Sequence, residues 1–475
     1  MSAADDEKVI RLASRAEPPP PASEHDYGAN PDDRPPEFSD DNLALRFTAR
    51  HGDRLRYVAK WGKWLEWDGT TWRPDETMRS FDLVRAVCRH ASAECNKPKA
   101  ATAIASAKTV AAVEKLAKGD RRHAATVAQW DADPWLLNTP RGVIDLRTGD
   151  LLPHEPGRHM TKSTAVVPFG DCPMWLKFLS TITAGDEALI AYLRRTAGYC
   201  LTGSIREHTL FFGYGTGRNG KGTFLNTLTG IMGDYAIDSN VETFTAQATS
   251  RHLTELARLQ GARLVVAQET EEGKRLAMAR VKAITGGDPI TANFMRQDLF
   301  TYHPQFKLFI AGNHKPALGT VDEAIRARFN LIPFTVYIPK EDRDKMLADK
   351  LRAEWPGILQ WMIDGCLEWQ ATDLAPPNAV LAATDTYFEA EDTFAQWTAA
   401  CCNVNPYAGA TSSQLFKSWQ KWAKEAGEEA GSQKRFAGTM EVRGFVSKKS
   451  HGSILYNGIG LRIDPSYHET EDERS

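Results

Sequence analysis

Nine consecutive residues offer the clearest chemistry in this sequence: Gly215, Thr216, Gly217, Arg218, Asn219, Gly220, Lys221, Gly222 and Thr223. They spell GxxxxGK followed by Gly and Thr. A backbone that wraps closely around phosphates needs glycines, because its N–H groups must turn inward without side chains in the way. A lysine at the end of such a loop places a point charge on the β- and γ-phosphates. A helix starting there adds the positive end of its dipole. All nine are candidate ATP-binding residues. The pattern usually has Ser or Thr directly after the lysine to hold Mg2+. Gly222 has no hydroxyl, so Thr223 is the candidate Mg2+ ligand, with water as the alternative.

Three further signals follow in order. Leu264–Gln268 is an apolar run leading into Glu269, Thr270, Glu271 and Glu272. Acids at the tip of a buried strand beside a phosphate loop are placed to orient Mg2+ and polarise the attacking water. Glu269 and Glu271 are the candidates, Glu269 also as a metal ligand, and spacing leaves open which is the base. The bland alternative is a solvated acidic loop. Next, Leu308–Gly312 ends in Asn313, an amide that can sense a γ-phosphate, although an Asn after a strand is more often a turn residue. Last, Arg328, and second Arg326, are candidates for an arginine that reaches a neighbouring subunit's γ-phosphate. Otherwise they are surface charge on a helix.

These signals need a scaffold. Thr209–Gly213, Arg263–Gln268, Phe306–Ala311 and Asn330–Val336 read as buried strands separated by helices, which indicates a mostly parallel α/β sheet. Residues 1–40 are rich in Pro, Asp, Glu and Ser and read as a disordered tail. Residues 41–200 read as a mixed α/β and helical region. Tyr57–Trp72 carries small strands with Trp61, Trp64, Trp67 and Trp72, which either stack bases or, more commonly, fill a small core. Phe81–Lys118 is helical with a break at Lys97-Pro98, Trp135–Leu152 gives short β runs, and Trp175–Cys200 gives two helices. The P-loop ATPase domain is expected over 201–345, a helical connector over 346–384, and a separate domain over 385–465 before an acidic tail, 466–475. That domain shows three helices, with Ser412 or Ser413 as an N-cap, and a basic hairpin around Lys448 and Lys449. The pattern matches a winged helix whose third helix, with Lys434 and Arg435, enters a DNA groove.

Bulk properties narrow the field. A net charge of −3 argues against a surface coated in basic residues, yet leaves room for a DNA channel with a few cations. The seven cysteines form no CxxC pair, so reduced, mostly buried thiols are expected rather than a zinc site. No signal peptide and no membrane-length apolar run are apparent, so the expectation is a cytoplasmic protein without a membrane partner.

The stretches GTGRNGKGTFLN, RLVVAQETEEG, KAITGGDPITA, FKLFIAGNHKP and DEAIRARFNLIPF, in this order, resemble the successive motifs of superfamily 3 helicases. The chain most resembles the phage/plasmid primase–helicase family, which includes the poxvirus primase–helicase. Leu136–Gly142 and Ile144–Gly149 extend the likeness upstream. The resemblance implies an AAA+-like P-loop core with a C-terminal winged helix. It also implies a homo-hexameric ring using ATP and Mg2+ to move on single-stranded and forked DNA. It maps Lys221 to the phosphate lysine, Glu269 or Glu271 to the Walker B acids, Asn313 to the sensor and Arg328 to the finger. Phe294–Phe300 would be a pore hairpin in which Arg296 or a neighbouring apolar residue grips phosphate or base, the alternative being a plain surface hairpin. No acidic primase cluster and no zinc-ribbon cysteines are found, so no priming activity is expected of this chain; a separate primase or replication initiator is a candidate partner. Other readings are a packaging motor or switch ATPase, and an initiator whose ATP site only drives assembly.

Overall fold

The computed structural model describes residues 35–245, 251–268, 275–294, 298–316, 323–450 and 453–462. Glu269, Glu271, Arg296, the tip of the basic hairpin and both chain ends lie outside the described residues.

Five strands build the central sheet: β1 (Leu210–Tyr214), β2 (Ala236–Asn240), β3 (Leu264–Gln268), β4 (Lys307–Gly312) and β5 (Phe329–Pro333). Their order is β5-β1-β4-β3-β2 and every pairing is parallel. Side chains alternate across a strand with a period of two, so each strand feeds two cores. Phe211, Val266, Phe309 and Ile332 enter one core, and Phe212, Val265, Ile310 and Leu331 the other. Helices cover both faces. Helices Pro173–Ile182, Glu187–Leu201, Lys221–Met232 and Trp355–Thr372 pack on the first, and Met278–Gly286 and Asn378–Glu391 on the second. This is a mixed α/β core around a parallel sheet, consistent with a P-loop or AAA+-like ATPase fold.

Two glycines let helices Glu187–Leu201 and Trp355–Thr372 cross closely. A Cβ on Gly198 would overlap the backbone of Gly365 and Cys366, and one on Gly365 would overlap the backbone carbonyl of Arg194. Helix Trp355–Thr372, expected within a connector, therefore contributes Trp361, Met362 and Trp369 to the first core. Full burial of each such side chain is worth roughly 1.5–3 kcal/mol.

The chain divides into two compact units, residues 1–132 with 155–161, and residues 133–154 with 162–475. The boundary near residue 132 places helices Pro173–Ile182 and Glu187–Leu201 in the second unit, with the central sheet. In the first unit, helix Asp40–His51 is capped by Ser39 and packs against helices Arg79–Glu94 and Ala107–Ala117. Strands Leu55–Val58, Lys63–Trp67 and Trp72–Pro74 form a small sheet, where Trp64 and Trp72 are buried and Trp67 is half-buried. Trp64 donates to Glu114 and Trp72 to the carbonyl of Pro156. Trp61 alone of the four is exposed, so core filling is the main role of the cluster.

The segment after helix Asn378–Glu391 runs helix Thr393–Cys401, strand Cys402–Thr411, helices Ser412–Glu425 and Gln433–Val442, then strands Ser447–Ser450 and Ser453–Leu461. Strand Ser453–Leu461 lies in the middle of this antiparallel sheet. Thr411, one residue earlier than expected, caps the second helix in a capping box with Gln414. Strand Cys402–Thr411 escapes sequence reading because Pro406 and a register shift between Val404 and Gly409 interrupt its pattern. Lys448 and Lys449 lie within a strand, not in the turn, and both are exposed.

Candidate nucleotide site

In an open parallel sheet, ligands bind beyond the carboxyl ends of the strands, where successive connections leave on opposite sides. β1 occupies that place here, with β4 on one side and β5 on the other. Residues 215–220 form the loop leaving β1, and helix Lys221–Met232 begins at its end.

The loop's shape follows from its residues. Gly217 and Gly220 have φ of 93° and 81°, a region closed to most side chains. A Cβ on Gly220 would also run into Ile182 and Phe178. Asn219 is buried and braces the loop from within. Its Nδ2 donates to the carbonyl of Phe334 at 2.8 Å, and its Oδ1 accepts from the Lys221 backbone N–H at 3.3 Å. The sequence marks Asn219 as part of the motif but does not show this brace, which spans over a hundred residues.

Lys221 is buried, and its ammonium donates to the carbonyls of Gly215 at 3.1 Å and Gly312 at 2.7 Å, and to Asn313 Oδ1 at 3.3 Å. Burial lowers its pKa to about 8. The side chain thus reaches across β4 and is held by oxygens alone. A polyphosphate would replace weak carbonyl dipoles with full negative charge. Asn313 sits at the exposed tip of β4, within reach of the same ammonium. The tip of β3 approaches the site as well, where Gln268 donates to Asn226 Oδ1 of helix Lys221–Met232 at 3.2 Å. Glu269 and Glu271 follow directly in sequence.

The surroundings suit a hydrated Mg2+. Thr223 lies in the first helical turn, and a Cβ on Gly222 would meet nothing within 4 Å, so the turn beside Lys221 has room for an ion. Among the described residues no cluster of three or more His, Cys, Asp or Glu forms a separate metal site.

Arg326 and Arg328 lie at the other end of the sheet. The Arg328 carbonyl accepts from the Leu210 N–H at the start of β1, whereas the phosphate loop leaves the end of β1. Four to five residues at about 3.3 Å each separate them by ~16 Å. Neither arginine lies beside its own loop 215–220. Arg326 is engaged, 3.9 Å from Asp385 and over the ring of Phe388. Arg328 donates Nη1 to the Ala324 carbonyl, and its Nε is buried without a hydrogen-bond partner.

Between β3 and β4, strands Ile290–Ala292 and Phe300–Tyr302 pair antiparallel, with Phe294 stacked on Phe300. Lys434 and Arg435 are exposed on helix Gln433–Val442. Five of the seven cysteines are buried and all are free. No described helix is long and apolar enough to cross a membrane.

Comparison with known proteins adds relatives in two segments. Residues 44–184 match the family described as D5 N terminal like, and residues 213–328 match DUF5906, a family of unknown function. A stretch of 151 residues is 28% identical to the putative helicase L207/L206 of Acanthamoeba polyphaga mimivirus. That match takes in 31% of this chain and 16% of that protein, so the chain spans only a small part of its curated relative. Among solved structures, the apo C-terminal region of NrS-1 matches with TM-scores of 0.48 and 0.49, at 10% and 11% identity. It covers 88% and 89% of this chain, and 99% and 100% of that one.

Proposed function

We propose that the chain is an ATP-dependent DNA motor of the superfamily 3 helicase type, acting as a homo-hexamer on single-stranded and forked DNA during replication. The carrying observation is the split between the two ends of the sheet. Lys221 and Asn313 meet at the carboxyl end, while Arg328 stands ~16 Å away at the amino end. Such an arginine works only on a nucleotide held by another copy, which calls for a ring. The likeness to a putative helicase supports the same reading.

In this reading the loop 215–220 cradles the phosphates and Lys221 neutralises the β- and γ-oxygens. Thr223 and Glu269 hold Mg2+, which adds positive charge on the phosphate oxygens. Glu269 or Glu271 takes the proton of the attacking water, and Asn313 aligns that water. Arg328 of a neighbouring copy stabilises charge on the transferring phosphoryl group, with Arg326 second in line. Arg296 grips DNA inside the ring. The C-terminal segment acts as a winged helix, with Lys434, Arg435, Lys448 and Lys449 on the DNA backbone. The chain does no priming and works in the cytoplasm beside a separate primase or initiator.

The test is ATP hydrolysis by the purified chain with and without single-stranded DNA, together with mixing of Lys221→Ala and Arg328→Ala copies. DNA stimulation, plus recovery of activity in the mixture, supports a motor with shared sites. Hydrolysis that ignores DNA points to a switch ATPase. No hydrolysis where rings have formed overturns the motor and leaves an assembly factor.

A further inference from the structure

The nucleotide site has two sides, and only one has been given work. On the β4 side, Lys221 reaches Gly312 and Asn313, and β3, which leads in sequence to the acids, lies beyond β4. This is the side for the γ-phosphate and metal. The nucleobase must therefore leave toward β5. There the chain continues past β5 and wraps the phosphate loop. Phe334 N–H donates to Tyr214, Asn219 donates back to Phe334, and Ile338 N–H donates to the Arg218 carbonyl at 3.0 Å.

Between those two anchors stands Tyr337, 60% exposed. Its hydroxyl accepts from Arg343 Nη2 at 3.2 Å, and the Arg343 guanidinium carbon lies 5.6 Å from the ring centroid. Arg343 is itself fixed by two hydrogen bonds to the Ile338 carbonyl, at 2.9 Å and 2.7 Å. The Arg343 guanidinium, with the charge of Arg218 adding to it, holds the phenol's pKa below its ordinary value. Arg218 has φ of 56°, a costly conformation for a non-glycine residue that recurs at ligand-gripping loops. A rigid, solvent-facing aromatic tied to the rim of a phosphate loop has the form of a stacking surface. Its arginine partner adds cation–π attraction.

We propose that Tyr337, steadied by Arg343, is the platform on which the base of the bound nucleoside triphosphate stacks. The inference rests on the reading of residues 215–223 as a triphosphate site. Aromatic stacking tolerates any base, so the platform adds affinity for nucleotides over bare polyphosphate rather than strict choice among bases.

The experiment is calorimetric titration of the full chain with ATP and with inorganic tripolyphosphate, for the wild type, Tyr337→Ala and Tyr337→Phe. Equal melting temperatures serve as the folding control. Tyr337→Ala is expected to weaken ATP about tenfold and leave tripolyphosphate within about twofold, while Tyr337→Phe stays within about twofold for both. Equal ATP affinity in wild type and Tyr337→Ala overturns the platform. So does an equal loss for ATP and tripolyphosphate, which marks Tyr337 as a structural strap. Wild type that binds tripolyphosphate as tightly as ATP overturns the platform but keeps the phosphate site. Wild type that binds neither overturns both.

Discussion

Two lysines are buried at opposite ends of the same sheet, and they differ in what surrounds them. Lys221, at the carboxyl end, donates to Gly215, Gly312 and Asn313, with burial lowering its pKa to about 8. Lys307, at the amino end of β4, donates to the carbonyls of Thr202, Ser204 and Gln305, and burial lowers it further, to about 7. Neither has a carboxylate partner in these contacts. Thr202 and Leu201 end helix Glu187–Leu201, so Lys307 and the buried Arg263, which donates to Leu201 at 2.7 Å, close the negative end of that helix. Tyr199 covers Lys307 from above, with the ammonium 4.7 Å from its ring centroid. Lys307 is sealed by a permanent set of dipoles. Lys221 is held by a loop whose ligand side is open. Burial of a cation thus serves packing at one end and, on the proposed reading, readiness for an anion at the other.

The largest expected effect comes from removing the ligand-facing lysine. Lys221→Ala is expected to lower ATP hydrolysis by roughly 10²–10³, the scale for losing one well-placed transition-state donor. Its melting temperature is expected to fall by less than that of a Lys307 variant, since the carbonyls of Gly215 and Gly312 border a loop with Thr216 and Arg218 exposed. A large loss of stability with little loss of rate would break the contrast between the two lysines.

Lys307→Met is expected to do the reverse. Three carbonyls lose their donor in a sealed site, at a cost of about 1–3 kcal/mol for each group left unsatisfied. Denaturant titration reads the loss, and hydrolysis per folded molecule is expected to stay near wild type. The pH response sharpens this. The folded-state pKa of Lys307 lies below its unfolded value, so between about pH 7 and the unfolded pKa the unfolded chain binds more protons. Stability contributed by this site therefore rises with pH across that window. Wild type is expected to gain melting temperature relative to Lys307→Met between pH 7 and pH 9.

A smaller effect is expected from proton linkage at Lys221. A bound polyphosphate favours the ammonium and raises its pKa from about 8. Binding near pH 8.5 should then take up protons, and affinity should fall as pH rises above 8. Calorimetry in two buffers of different ionisation enthalpy measures the uptake. Zero uptake in wild type, or the same uptake in Lys221→Ala, would show that this lysine does not meet the phosphates.

Much of the carboxyl end was legible in the sequence, and little of the amino end was. The loop 215–223 announces itself because its chemistry needs consecutive residues. β1, β3 and β4 read as strands because they are inner strands, buried on both faces and largely apolar, and β5, at the sheet edge, because Phe329, Leu331 and Ile332 outweigh Asn330. β2 was missed because Ala-Ile-Asp-Ser-Asn lies at the sheet edge and has too little apolar content. Lys307 and Arg263 stand just ahead of apolar runs and look like ordinary strand-flanking cations. Their acceptors are backbone carbonyls 2 to 130 residues away, which no side-chain pattern records. Tyr337 is likewise a single aromatic outside any motif. Local chemistry is written in spacing, whereas roles that depend on distant backbone groups appear only in the fold.

The smallest expected effect concerns Gly222, where the sequence departs from the usual pattern. A hydroxyl residue fits there, because a Cβ would meet open space. Replacing Gly by Ser early in helix Lys221–Met232 should raise stability by about 0.5 kcal/mol through helix propensity alone. The informative readout is the Mg2+ concentration for half-maximal hydrolysis. If Thr223 carries the ligand role, Thr223→Ala raises that concentration in the natural background, and Gly222→Ser restores it in the double variant. The two positions then couple, as neighbours sharing one ion must. If both single variants leave the Mg2+ dependence unchanged, neither hydroxyl touches the metal. The ion would then be held by the acids after β3 and water.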